Sequence, residues 1–450
     1  MAIAMATHKP ASNVLSLRPC HGDDHHPTDE HRPHALQWDR FAKRGKQELN
    51  MPASPTTTME CRLCGEPAAV EFLNLGQQPL ANKYPTEAQF AAEEFFPLQV
   101  FFCPTCKNVQ LGTVISRERM FEDYYYLSSV NRALVSHFED LAQKLSSANF
   151  VVDVGSNDGV LLRPLQKLGV KALGVEPSIN VSKIANDEGL ETMTAFFDMA
   201  AAEAIEASHG KADVIVASSV FTHLEDPSGF IETVKRLLTD DGTFIVEVEY
   251  IGSILATTQF ERFYLDRIFY YSLTSLAKLF AAHGMFIADV REITPHGGSL
   301  QVFVQREGRQ TPSDATVRFL AREEEDLTLD TLNEFRRNVD IQMAAFKDRL
   351  AEYRQAGLQI AGYGSPARVA TICNYGKIGP SEIPFTVDDS PLKQNKFTPG
   401  THIPIVPKSH LDEHKPDVLV VFAYEYIEDI KKKTDGAYRY LKPIPPTDLT

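Results

Sequence analysis

From residue 150 onward, short runs of apolar and β-branched residues alternate with segments of helical period. The runs are "FVVDVG" (150–155), "KALGVEP" (171–177), "ADVIVASS" (212–219) and "GTFIVEVE" (242–249), with amphipathic stretches such as "SGFIETVKRLLTD" between them. Continuous apolar strands separated by helices predict βαβ units, hence a parallel sheet covered on both faces. A second unit of the same plan begins at 358 with "LQIAGYGSPARVATICNYG", "IPFTVDD" and "DVLVVFAYEYIEDIKKK". Between the two, Leu320, Leu327, Leu332, Phe335, Val339, Met343, Phe346 and Leu350 recur at helical spacing in a polar stretch, predicting one or two connecting helices. Upstream, residues 114–147 read as helical, with Val130, Leu134, His137, Phe138 and Leu141 on one face.

Residues 1–58 have no such period. They hold six of the 14 histidines, irregularly spaced, and the one tryptophan, Trp38. Such a composition cannot bury a core and predicts a disordered tail. The pattern divides the chain into that tail, a cysteine-containing unit (59–112), a helical connector (113–148), an α/β domain (149–310), a second connector (311–356) and a C-terminal α/β domain (357–450).

A formal charge of −15 argues against a nucleic-acid partner, which requires a basic face to neutralise phosphates. An RNA-modifying enzyme with a zinc ribbon is disfavoured on the same ground. No apolar run approaches the roughly 18 residues of a spanning helix, and the N-terminus lacks a continuous apolar core of the signal-peptide kind. The expectation is a cytoplasmic protein without a membrane partner.

Chemistry enters first with Cys61-x2-Cys64 and Cys103-x2-Cys106, two knuckles separated by 38 residues. Doubled CxxC spacing brings four thiolates around Zn²⁺, and with all four positions filled by sulfur no site is left for water or substrate. The expected metal is structural.

In "VVDVGSNDGVLL" (151–162) a strand runs through a glycine turn into a helix. Gly155 permits close approach of the backbone to a ligand, with Asp153, Asn157 and Asp158 as polar groups around it. The turn is acidic and would repel a pyrophosphate, so a cationic ligand carrying an amino group fits better. Glu176, at the end of the next strand, stands where an acid grips ribose hydroxyls. Phe197 and Asp198 follow for an adenine ring and its amine, and Ser218 and His223 close a polar fourth strand end. In that order these features point to S-adenosylmethionine (SAM). In the C-terminal unit, "IAGYG" and "SPAR" form a strand, a glycine turn and a helix start with Pro366 in its first turn. A helix N-terminus of this kind binds phosphate, with Arg368 and Lys393 as counter-charges.

Taken together, "CRLCG…LGQQPLAN…CPTCKNVQLG", "VGSNDG" with "GVEPS", "HGGS" at 296–299 and "GYGSPARVATICNYGKIGP…VDDSPLKQNKFTPGTHIPI" resemble the sugar C-methyltransferases of nucleotide-linked deoxysugar biosynthesis. The resemblance spans about residues 59–450. It implies a class I SAM-methyltransferase Rossmann-like domain between a small N-terminal zinc-binding domain and a C-terminal Rossmann-like α/β domain, with a nucleotide-sugar in the cleft they share. It also implies that a base removes the proton beside a 4-keto group, and that Tyr126, Ser128 and Ser129 contact the sugar.

The family's Tyr-Asp-Glu-His run corresponds here to Tyr264, Leu265, Asp266 and Arg267. The expected base, histidine, is thus replaced by arginine, which stays protonated and cannot accept a proton. Arg267 either holds an anion of the acceptor or braces the wall by pairing with Asp266 or another acid. His223 and His296 match family positions near the reacting centre and complete a catalytic set with Tyr264, Asp266 and Arg267. A histidine base would titrate near pH 6–7. An oxygen or nitrogen acceptor needs less help from a base, so O- or N-methylation, or binding of both ligands without carbon methylation, stands as the alternative.

Overall fold

The computed structural model describes residues 57–116, 119, 127–308 and 310–449. Residues 1–56 of the expected disordered tail (1–58), and Tyr126, lie outside the described residues, and Thr58 at the tail's end is already in a strand.

Three sheets carry the fold. The first is antiparallel and runs Thr58–Met59, Ala69–Pro79, Phe95–Phe102, Val109–Leu111 and finally Phe269–Tyr270, a strand lent by a much later part of the chain. The second has seven strands in the order Met285–Ile293, Ser299–Arg306, Leu238–Glu249, Ala212–Ser218, Phe150–Val154, Lys171–Val175, Thr192–Met193. Only Ser299–Arg306 runs against the others. Counted along the chain within this sheet, the order is 3-2-1-4-5-7-6 with strand 7 reversed, an arrangement of the class I methyltransferase kind that the resemblance implies, whereas the residue pattern alone predicts only parallel strands. Connections leave the first strand in opposite directions, and a ligand crevice opens at that switch point. The third sheet is centred on Ile360–Tyr363, flanked in parallel by Thr386–Val387 and Val418–Val421. It has a switch point of its own.

The helical period upstream is realised over Arg132–Lys144. Asn131 begins that helix by accepting the N–H groups of Ala133 and Leu134 at 3.0 and 3.2 Å, so among the described residues it does not extend back to 114 as the apolar pattern suggests. Helices Asp314–Asp326 and Leu329–Gln355 occupy the second polar stretch, the longer one burying Leu332, Phe335, Val339, Met343, Phe346 and Leu350. Phe335 meets Phe72 of the first sheet and Phe263 edge-on, both at 6.2 Å between centroids. One apolar core therefore runs through the first sheet, the long helix and the segment 263–271. At about 2–3 kcal/mol for each fully buried large side chain, this contact holds the three parts in fixed register.

Candidate functional site

The four cysteines of the two knuckles converge. Their sulfurs all lie within 4.8 Å of one another, with Cys61 Sγ 3.7 Å from Cys106 Sγ and Cys64 Sγ 3.6 Å from Cys103 Sγ. Thiolates about 2.3 Å from a tetrahedral Zn²⁺ stand about 3.8 Å apart, so the donor set fits that ion. Each knuckle closes on a left-handed residue, Gly65 (φ 74°) and Lys107 (φ 59°), with N–H bonds of 2.8 Å from Gly65 to Cys61 O and from Lys107 to Cys103 O.

A single cavity of about 2060 Å³ is walled by the second and third sheets, the loop 80–84 and the segment 264–267. Its cofactor side follows the strand–turn–helix reading. Gly155 has φ 70°, and a Cβ there would lie 2.3 Å from Val220, so the turn admits only glycine. Glu176 accepts the Asn157 N–H at 3.0 Å and the Ser178 N–H at 2.8 Å, which orients a carboxylate with one lone pair on each oxygen to spare. Burial raises its pKa against those bonds. Ser156 Oγ and Asp158 Oδ1 are buried without a hydrogen-bond partner, but neither residue lines the cavity. Phe197 and Asp198 reach the cavity, the latter also capping a helix through the Ala201 N–H at 2.9 Å. Ser218 reaches it too, donating to Glu247 at 2.7 Å.

Asp153, Asp158 and Ser129 do not line the cavity. Asp153 is buried within its strand, and that burial, with Glu247 and Glu176 nearby, pushes its pKa well up. Asp158 accepts from the Ser129 hydroxyl and N–H, which ties the segment 127–130 to the cofactor turn. Ser128 is on the wall and donates its N–H to Asn157 Oδ1 at 2.9 Å.

The segment 263–272 separates by side chain. Phe263, Leu265, Ile268, Phe269, Tyr270 and Tyr271 are buried in the core, while Tyr264, Asp266 and Arg267 line the cavity. Arg267 is only 6 % exposed and pairs with Glu249, not Asp266, with its guanidinium 4.7 Å from the Tyr264 ring. Arg262 lies 3.6 Å from the same Glu249 and 2.5 Å from Glu425 of the third sheet's domain. Burial would raise Glu249, but Arg267 and Arg262 outweigh it and hold it below the usual carboxylate range. Asp266 accepts from Asn82 on one oxygen, and its other oxygen is buried without a partner. Burial pushes it up to about 6, against the pull of Asn82 and Arg267.

Both histidines are lowered to about 4, His223 by burial and then Arg267, His296 by burial with Arg267 opposing the help of Glu249. His223 Nδ1 meets the Asp266 carbonyl, so it carries the proton and the ring's lone pair is on Nε2. Neither histidine titrates at the pH 6–7 expected from sequence. Tyr264 is raised by burial and stays protonated.

On the C-terminal face, Arg368 and Lys393 both reach the cavity but neither is a lone cation. Arg368 makes a two-pronged bond to Glu425 at 2.7 and 2.6 Å, and Lys393 binds Ser365 O at 2.9 Å and stands 3.5 Å from Asp388. The helix begins at Arg368, so Pro366 precedes its first turn instead of occupying it.

Three family models divide the chain: "Putative zinc binding domain" over 61–121, "Methyltransferase domain" over 126–288 and "C-methyltransferase C-terminal domain" over 294–442. C-methyltransferase NovU of Streptomyces niveus is 31% identical over 400 residues, covering 86% of this chain and 95% of that protein. This chain belongs to the C-methyltransferase family. A ubiquinone biosynthesis O-methyltransferase of Methylobacterium sp. (strain 4-46) matches at 24% identity over 164 residues, 32% of this chain and 63% of its own length. Among solved structures, mitomycin 7-O-methyltransferase MmcR is similar at 17% identity and a TM-score of 0.32, over 40% of this chain and 55% of its own. Magnesium protoporphyrin IX methyltransferase of Synechocystis PCC 6803 with bound SAH is similar at 17% and 0.32, over 40% and 90%. Membership makes the protein a SAM-dependent methyltransferase.

Sequence reasoning misses several residues of this C-methyltransferase's cavity. Glu247 and Glu249 line it, Glu247 receiving His137 at 2.8 Å, Gln301 at 2.7 Å and Ser218. Their signal is present in "FIVEVEY": two acids alternating inside an apolar strand must face a polar site or be paired. Asn82, Arg262 and Glu425 carry no comparable local signal.

Proposed function

We propose that the protein methylates carbon in a nucleotide-activated keto-sugar, with SAM in the second sheet's crevice and a structural Zn²⁺ on Cys61, Cys64, Cys103 and Cys106. The cavity carries this reading. Ordinary small-molecule sites reach about 1,000 Å³, and one of about 2060 Å³ that joins two glycine turns and an acidic wall suits a cofactor together with a bulky, charged acceptor.

When bound, SAM supplies an electrophilic methyl group on a sulfonium centre. Gly155, Glu176, Phe197, Asp198 and Ser218 hold it, the acids matching its amino group and ribose. Arg368 and Lys393 meet the acceptor's phosphates, and Ser128 borders its sugar. Asp266, whose pKa of about 6 suits a base near neutral pH, takes the proton from the carbon beside the keto group. The enolate oxygen so formed is stabilised by the fixed positive charge of Arg267. His223, His296 and Tyr264, neutral at that pH, supply hydrogen bonds around it.

The test is turnover of SAM with a panel of nucleoside-diphosphate keto-sugars, with mass analysis of products. Carbon-bound methyl on one of them is expected. Methyl transfer only to phenols or carboxylates, with no keto-sugar consumed, would sink the reading.

A further inference from the structure

The wall segment 264–267 is held at both ends by the short strand that follows it. Ile268 donates its N–H to Thr222 O at 2.9 Å, and its carbonyl accepts the Leu111 N–H at 3.0 Å. At the other end the Tyr270 hydroxyl donates to Arg262 O at 2.9 Å and accepts the Tyr264 N–H at 3.1 Å. The loop that carries Tyr264, Asp266 and Arg267 is therefore placed by Phe269–Tyr270. Those two residues pair antiparallel with Gln110 and Val109, in the strand Val109–Leu111 that follows Cys106 of the second cysteine knuckle. Packing of Phe263, Phe269 and Tyr271 buries the segment, but register is set by the partner strand, and a slip of one residue would turn each side chain to the other face.

Both knuckles grip that partner strand. Asn108, fully buried, donates its side-chain N–H to Cys61 Sγ at 3.9 Å, which joins the knuckle it follows to the other one. Hydrogen bonds of this outer kind orient the ligands of a metal. Gln110, also fully buried, uses both ends of its amide: the oxygen accepts the Arg62 N–H at 2.9 Å and the nitrogen donates to Glu60 O at 3.0 Å. Arg62, inside the Cys61–Cys64 knuckle, closes its guanidinium on Leu111 O and Gly112 O at 2.5 and 2.8 Å. The second knuckle is anchored to the body of the fold, with Lys278 donating to Thr105 O and Lys107 donating to Leu327 O at 3.2 Å. Contacts thus run from the thiolates through Asn108, Arg62 and Gln110 to Phe269–Tyr270, and from there to the wall.

We propose that the four-cysteine centre positions the catalytic wall, with Gln110 and Arg62 as the positioning residues that carry its geometry to Asp266 and Arg267. This rests on the zinc and the proton-transfer roles proposed above, and goes beyond them in making the metal a condition for the wall's placement as well as for the knuckles' own folding. The cofactor crevice, at the strand ends of the second sheet, stands apart from this path.

Hydrogen exchange and SAM calorimetry on the full-length protein test it. Wild type as purified is compared with the same protein after chelation of its metal, and with Gln110→Met, which fills the space and removes both amide bonds. On chelation the amides of 262–271 should exchange at least about tenfold faster, while strands 150–154 and 212–218 keep their protection and SAM its affinity. Gln110→Met should keep its zinc and its SAM affinity and show the same local gain in exchange. It should also lose about 10²-fold in kcat at unchanged KM for SAM, because displacing the reacting groups by about an ångström costs that much. Unchanged exchange over 262–271 in protein shown to be free of metal overturns the proposal and leaves the zinc reading in place. Normal kcat or normal exchange over 262–271 in Gln110→Met overturns it too. Where one of the two samples unfolds as a whole, the other decides, and loss of protection throughout in both would make the centre a general brace and overturn the proposal. Purified protein that contains no metal removes the zinc reading and this one together.

Discussion

Arg267 has two roles that can be separated by experiment. It is the counter-ion of the fully buried Glu249, and it lines the cavity, where the proposed mechanism sets it opposite the acceptor's developing negative charge. Replacing it by glutamine strands Glu249, and breaking a buried pair by removing one partner costs about 3–5 kcal/mol. Arg262 at 3.6 Å still attends Glu249, which puts the expected cost near about 3 kcal/mol, the low end of that range. Domains are typically stable by about 5–15 kcal/mol, so the variant should fold with a lowered melting temperature. Separately, loss of a fixed charge opposite a developing oxyanion costs about 2–4 kcal/mol, a fall of roughly 30- to 1000-fold in rate.

A second substitution divides these effects. Arg267→Gln combined with Glu249→Gln removes both charges and should recover most of the lost stability, since no buried charge is then left alone. It should not recover the rate. The assays are a melting curve and kcat/KM for wild type, both single variants and the double variant, with Arg267→Lys expected to restore only part of the activity because an ammonium lacks the planar fork. The pH dependence has a defined sign. Glu249 is lowered in the fold, so the pair's contribution is full above the unfolded carboxylate value of about 4.3 and fades as pH falls through the folded value. The melting-temperature gap between wild type and Arg267→Gln should therefore close in acid. If the double variant regains wild-type kcat/KM along with stability, Arg267 is only a brace.

The other expectations concern proton transfer, metal and cofactor. With Asp266 as base, kcat/KM should rise with pH through about 6, where its carboxyl loses its proton. Asp266→Asn should remove that limb and about 10²–10⁴-fold of the rate; a wild-type limb near pH 4 instead would reassign the base to His223 or His296. Metal analysis should find one zinc per chain, lost from the Cys61→Ser, Cys106→Ser double variant; unchanged zinc there would place the metal elsewhere. Glu176→Ala should weaken SAM at least about tenfold by calorimetry, and wild-type affinity would mean that the ribose is held by other groups.

What the sequence disclosed follows the range of each interaction. Strands 150–154, 171–175, 212–218 and 238–249 and the helix 329–355 are set by local period, and each is legible in its own residues. The glycine turns are equally local, because Gly155 and Gly364 answer to a backbone conformation. Charged residues behave otherwise. Arg368 reads in sequence as a lone cation at a helix start, yet its fork is held by Glu425, 57 residues later. Arg262 reaches that same glutamate across 163 residues, and Asn82 reaches Asp266 across 184. No window of sequence contains such a pair, so the charge state of Asp266 and the histidines stays hidden until the fold supplies burial and counter-ion together. Arg267 is the sharpest case. Its place where the resemblance leads one to expect a histidine is legible in the chain, and so are two acids in "FIVEVEY", but that Glu249 is its partner is set only by the fold. The arginine and the glutamate are one unit, and a change in the wall's chemistry has to be read as a change in both.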